Sequence, residues 1–157
     1  MNKSTIQIPK LYQELEVSLS SGQWKSADAQ TRQIMHYIAG IHHKNYLHES
    51  DLAVFPCEEL LWLDWLWLQN SDRRFGFSIQ RQIWREVGGD TEDANYQTWL
   101  RFGKAVGWRR NTWLKPEEIN YTSQACAGHL PIDWLEEWEL GDICVTLFAR
   151  LDCCKDS

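Results

Sequence analysis

Residues 60–84, LLWLDWLWLQNSDRRFGFSIQRQIW, decide how this chain is read. Trp62, Trp65, Trp67 and Trp84 flank a polar break from Asn70 to Arg74. Glu58 to Gln69 carries apolar residues almost all round, which predicts a helix buried on most sides. After the break at Gly76, Ser78 is placed to cap a second helix, with Ile79, Ile83, Trp84 and Val87 as its apolar face. So aromatic a stretch is packed core, a membrane segment or a wall for a flat ligand. The membrane reading fails. Leu60–Leu68 has nine residues with Asp64 among them, against the roughly 18 apolar residues of a span.

Helical periodicity continues outward on both sides. Pro9 suits a helix N1 position, and Leu11, Leu15 and Leu19 recur every four residues behind it. Ser20-Ser21-Gly22 ends that stripe. Trp24, Ala27, Thr31, Ile34, Met35 and Ile38 share one face of the next helix, which Gly40 closes as a C-cap. The two make an αα-hairpin. Residues 41–54 are less regular. Glu92 to Val106 predicts another helix, with Tyr96, Trp99, Leu100 and Val106 inward. Residues 107–141 are irregular and hold Trp108, Trp113, Trp134 and Trp138. Segments of that length are usually functional or disordered, and four Trp argue against disorder. Asp142 to Cys153 forms the last helix. No segment alternates convincingly with period two. The expected fold is all-α: residues 1–157 as one compact domain, its core about 11–154, of about six or seven helices with a long irregular lid loop.

Composition narrows the function. The chain has 157 residues, 43% apolar and 24% charged, with ten Trp. Its net charge is −6 and its pI about 5.3. Nucleic-acid binders carry a basic footprint, and no basic groove accompanies these aromatics. The stretch MNKSTIQIPK has no apolar signal region, so the expected location is the cytoplasm. Cys57, Cys126, Cys144, Cys153 and Cys154 are odd in number and lack a C-x-x-C. They are expected to be idle thiols, with the neighbouring Cys153–Cys154 open to oxidation or acylation.

Catalytic patterns are scarce. There is no G-x-S-x-G and no recognisable Cys/His signature; His129 lies three residues from Cys126 on a predicted loop. Gly88-Gly89 lacks a phosphate-loop context. His42, His43 and His48 do not have a standard metal spacing, so they are expected to be solvated, with an axial-ligand role toward a bound metallocycle as the alternative. No dedicated protein metal site is expected. Asp28, Arg32 and His36 line up at helical spacing. Arg32 is either the surface partner of Asp28 or a guanidinium placed for a ligand carboxylate.

The stretches SGQWKSADAQTR, FPCEELLWLDWLWLQNSDRRFGFSIQRQIW, VGWRR and AGHLP resemble the Genomes Uncoupled Four domain, a tetrapyrrole-binding regulator of magnesium chelatase in chlorophyll synthesis. Order and spacing match from about Leu11 to Cys154. The resemblance implies an all-α fold likened to a cupped hand, a concave side that binds porphyrins, and no catalysis. It implies that the 60–84 stretch is mainly structural core. The ligand site is then drawn from Arg32, Leu47, Glu49, Leu52, Trp108, Trp113, Leu114, Lys115, His129, Leu130 and Trp134, with Arg109 and Arg110 close by. The implied ligand is protoporphyrin IX, its magnesium form or a bilin. The implied partner is the large porphyrin-binding subunit of magnesium chelatase or another tetrapyrrole enzyme. Glu49 and Lys115 stand where the chelatase activator has aromatics, and Trp134 and Glu137 fall near its ligand-reaching Asn and Arg. The extra N-terminal helical bundle of many cyanobacterial forms is not in this sequence, and the ending ICVTLFARLDCC looks more like accessory members. An interaction module that has lost the pigment is the alternative function, and a bilin lyase or isomerase a third.

Overall fold

A computed structural model describes residues 3–41 and 46–156. Among them the chain forms seven α-helices and no strand: α1 (Lys3–Ser20), α2 (Trp24–Ala39), α3 (Glu49–Ala53), α4 (Cys57–Asn70), α5 (Phe77–Glu86), α6 (Tyr96–Ala105) and α7 (Asp142–Lys155). α1 and α2 pack as the expected hairpin, α1 also touches α4, and α7 packs on α3, α4 and α5. Gly40 ends α2 with φ 72°; its N–H donates to the Tyr37 carbonyl at 3.1 Å, and the Ile41 N–H to the His36 carbonyl at 2.9 Å. A left-handed residue of this kind satisfies the last carbonyls of a helix, and glycine adopts it without a Cβ penalty.

Three boundaries differ from the pattern. α1 starts before Pro9, which lies inside the helix rather than at N1. Pro9 is exposed, so the hydrogen bond it cannot donate is lost on the solvent side. α5 is capped from outside. The Asp64 carboxylate on α4 accepts from the Ser78 N–H at 2.8 Å and from its hydroxyl. This explains the one acid in LLWLDWLWL: it is buried but occupied by orphan donors at the start of the next helix. α6 begins at Tyr96, not Glu92. The Asn95 side chain accepts from the N–H groups of Gln97 and Thr98 while Thr98 Oγ1 accepts from the Asn95 N–H, forming a capping box.

α4 is buried on most sides, with one narrow exposed stripe at Glu58, Trp62, Trp65 and Gln69. Leu60, Leu63, Leu66 and Trp67 are buried. Trp62 and Trp65 are 41% and 46% exposed and stack on each other with centroids 5.0 Å apart. The other indoles build the core. Trp24, Trp67 and Phe75 form one aromatic cluster, and Trp84, Trp99, Phe102 and Trp108 a second. The edge of the Trp113 ring packs on α6 at Gly103, where an added Cβ would come within 2.5 Å of it.

The segment between α6 and α7 is irregular, with one 3-10 turn at Pro116–Glu118. Its apolar residues point inward: Trp108, Leu130, Ile132, Trp134 and Trp138 are buried. These residues pack as a wall of the core. The segment's backbone groups find side-chain partners instead of a ladder. Trp108 Nε1–H donates to the His129 carbonyl at 2.8 Å, Trp138 Nε1–H to Leu114 at 3.0 Å and Trp99 Nε1–H to Trp138 at 3.2 Å. Gln80 Nε2 donates to the carbonyls of Gly128 and Pro131 at 3.0 and 2.9 Å. Buried backbone polar groups require such partners.

Cys57 and Cys154 form a disulfide between the start of α4 and the end of α7. This corrects the expectation of idle thiols for both. Cys144 is buried, and burial pushes its thiol pKa up.

Candidate functional site

The sequence periodicity that buries Ala27, Thr31, Ile34 and Met35 leaves the other face of α2 toward solvent. Ala29, Arg32, Gln33, His36 and Tyr37 on that face, with Ile41 beyond the C-cap and Asp133 opposite, enclose a concavity of about 410 Å³. Clefts that hold small ligands run about 300–1,000 Å³.

Asp28 fixes the far wall. It is fully buried. Its Oδ1 accepts from the N–H groups of Ile132 and Asp133 at 2.9 and 3.1 Å, and its Oδ2 from the Tyr121 hydroxyl at 3.0 Å. Burial raises its pKa to about 7, the two backbone donors opposing that shift. Asp28 is therefore not the surface partner of Arg32, and that reading is corrected. It ties the irregular segment to α2 and brings Asp133 to the concavity.

Arg32 faces acids only loosely. Nη1 lies 3.9 Å from Asp133 and Nη2 3.8 Å from Glu136, with all three side chains more than a third exposed. Exposed pairs at such distances contribute little, so the guanidinium remains open to a better acceptor. The Nε2 atom of His36 is buried without a hydrogen-bond partner. Burial, and then Arg32, lower its pKa. A cation, an unpartnered imidazole nitrogen, a phenol ring and an isoleucine on one wall suit a flat apolar molecule that carries a carboxylate. His36, Tyr37 and Ile41 line the concavity without having been implied by the resemblance; the line of Asp28, Arg32 and His36 was the signal for one of them.

The residues implied by the resemblance do not converge on this concavity. Arg32 lines it. Leu47, Leu52, Trp108, Leu130 and Trp134 are buried at 2% exposure or less. Trp134 Nε1 has no hydrogen-bond partner among the described residues. Glu49 is exposed in the first turn of α3, where a helix N-terminus favours an acid; it is not a buried carboxylate. Lys115 is exposed beside the 3-10 turn. Trp113 is half-buried, its Nε1–H 3.3 Å from the Tyr96 hydroxyl. Leu114 and His129 line a second concavity. His129 is buried with both ring nitrogens occupied: Nδ1 lies 2.8 Å from the Val106 carbonyl and Nε2 accepts from the Asn120 N–H at 3.0 Å. Since Nε2 is an acceptor, Nδ1 carries the proton and the ring is neutral; burial lowers its pKa in the same sense. Neither nitrogen is available to a metal. His42 and His43 lie outside the described residues, and His48 is the N-cap of α3. No cluster of metal-ligating side chains occurs among the described residues.

The sequence profile of the GUN4-like family matches residues 6–144. Among curated relatives, an uncharacterized protein ycf53 of Porphyra purpurea is 34% identical over 125 residues, covering 77% of this chain and 49% of the relative. The chloroplastic tetrapyrrole-binding protein of Arabidopsis thaliana is 29% identical over 142 residues, covering 89% of this chain and 50% of the relative. The chain thus spans about half the length of the curated relatives it matches. The ligand-free structure of Arabidopsis thaliana GUN4 superposes with a TM-score of 0.70 at 26% identity, over 86% of this chain and 92% of that one. GUN4 from Chlamydomonas reinhardtii gives 0.70 at 25% identity, over 89% of this chain and 85% of the other.

Proposed function

The chain belongs to the GUN4-like family, and from that premise we propose that it binds a tetrapyrrole, porphyrin or bilin, without transforming it, and regulates a tetrapyrrole-handling enzyme. The observation that carries this reading is the α2 concavity, where Arg32 faces out beside Tyr37 and Ile41. The name of the Arabidopsis relative supports the ligand class. No helix among the described residues is long and apolar enough to cross a membrane. The proposed partner is the large porphyrin-binding subunit of magnesium chelatase or another tetrapyrrole enzyme. The proposed setting is the cytoplasm or the surface of a photosynthetic membrane.

The chemistry is recognition. Arg32 donates to a propionate, which replaces its two long contacts with Asp133 and Glu136 by a charge-assisted pair. Tyr37 and Ile41 cover one face of the pigment. His36 offers the nitrogen that has no partner in the free protein.

A titration with protoporphyrin IX, its magnesium form and biliverdin, followed by absorbance and tryptophan emission, tests the reading. Saturable binding is expected, weakened on the order of tenfold to a hundredfold in Arg32→Ala. Absence of saturable binding, or quenching no different from that of an unrelated flat dye, favours the second reading: an interaction module on the same scaffold. The two acids already facing Arg32 are the observation on its side.

A further inference from the structure

The second concavity, about 460 Å³, has a different character. Lys104 in the last turn of α6 and Arg109 and Arg110 just beyond it line one wall, with Asn111, Leu114 and Asn120 nearby. The turn that carries the arginines is firmly built. The N–H groups of Trp108 and Arg109 both donate to the Gly103 carbonyl at 2.8 and 3.1 Å, and Leu114 N–H donates back to Trp108 at 2.9 Å.

These three cations form no ion pair among the described residues; the ion pairs there involve Arg32, Arg81 and Arg85. The one acid on the wall, Glu118, already accepts from the Lys115 N–H at 2.8 Å. Arg109 Nε is buried with no acceptor, and Nη1 reaches only the Arg110 carbonyl at 3.2 Å. A buried guanidinium N–H without a partner is destabilising. The dipole at the C-terminus of α6 accounts for a cation such as Lys104, but not for that orphan donor or for three like charges in a chain of net charge −6. His129, at the floor, contributes no charge, because its ring is neutral and both nitrogens are occupied.

We infer that this concavity is an anion site: it takes a group bearing two or more negative charges, a phosphate or a dicarboxylate, with Arg109 Nε, Lys104 Nζ and the Arg110 guanidinium as donors. The site uses none of the α2 residues, although the resemblance sets Leu114 and His129, with Arg109 and Arg110 beside them, at the pigment, and the Arg32→Ala arm below separates the two readings. Charge-assisted hydrogen bonds from guanidinium and ammonium to such groups are the strong ones, and a ligand would remove both the unpaired N–H and the mutual repulsion.

The test is a thermal-melting titration of the intact protein with pyrophosphate and with succinate, at ionic strength matched with chloride. The wild type should show a saturable rise in Tm. Lys104→Gln with Arg110→Gln, both at exposed positions, should fold as the parent does and weaken the apparent affinity about tenfold or more. Arg109→Lys, which removes Nε and keeps the charge, should weaken it as well, whereas Arg32→Ala should leave it intact. Succinate acting as well as pyrophosphate assigns the site to organic carboxylates, including those of a pigment; pyrophosphate alone assigns it to phosphate. No saturable response in the wild type, an equal response in the double variant, or its loss in Arg32→Ala would overturn the proposal.

Discussion

The helices from Cys57 to Ala105 and the irregular segment from residue 106 to 141 bury comparable aromatics by different means. In the helices the backbone satisfies itself, and Trp67, Trp84 and Phe102 add area and ring contacts. In the irregular segment the same residue type also works as a donor: the indole N–H groups of Trp108 and Trp138, joined by that of Trp99 from α6, hold three of its carbonyls that no helix supplies with a partner. Asp28 and Gln80 reach across from α2 and α5 to do likewise. The buried tryptophans are thus two populations. One packs, and the other substitutes for secondary structure.

The sharpest way to break this contrast is Asp28→Ala. It strands two buried N–H groups and the Tyr121 hydroxyl. A loss of about 3–5 kcal/mol is expected, with Tm falling about 2–4 °C for each kcal/mol in a chain of this size. Asp28→Asn keeps an acceptor for the backbone donors and removes the buried charge, so its loss should stay near 1 kcal/mol. The two also differ in pH dependence. The folded-state pKa of Asp28 is raised, to about 7 against an ordinary 3.8. Its contribution is therefore fully present below about pH 4 and fades as pH rises through about 7. Asp133 and Tyr121 are the titratable neighbours. Urea melts should show wild type gaining on Asp28→Asn as pH is lowered from about 8 to 5; parallel profiles would contradict this.

Next in size is Gln80→Leu. It leaves the carbonyls of Gly128 and Pro131 without their donor, at about 2 kcal/mol, and protease cleavage within residues 119–131 should accelerate. Smaller again is Trp108→Phe, about 1–2 kcal/mol from the loss of the donor to His129. Trp67→Phe should cost less, because Thr31, the acceptor it abandons, still donates to the Ala27 carbonyl. Equal costs for the two would erase the distinction between the populations. The smallest effect belongs to Trp62→Ser with Trp65→Ser, within about 0.5 kcal/mol by chemical melting, since both rings are substantially exposed.

The same contrast explains what was legible. Helices α2, α4 and α7 are readable because period and caps are local properties of the sequence. The anchors of the irregular segment are not, because Asp28 meets Ile132 across 104 residues and Gln80 meets Pro131 across 51. No spacing rule encodes such pairs. Arg32 was visible through the resemblance and its alignment with His36. The acids opposite it, Asp133 and Glu136, are brought there by the Asp28 tether, and sequence inspection passed over them. The Cys57–Cys154 pairing was hidden for the same reason, since its partners are 97 residues apart.

That bond changes the connectivity of the molecule. It makes residues 57–154 a covalent ring, with α1, α2 and α3 as an arm attached at Cys57. A single proteolytic cut anywhere in the ring, including the exposed run from Thr122 to Gln124, opens it without releasing a fragment. On a denaturing gel the nicked chain stays one band until a reductant is added, and then becomes two.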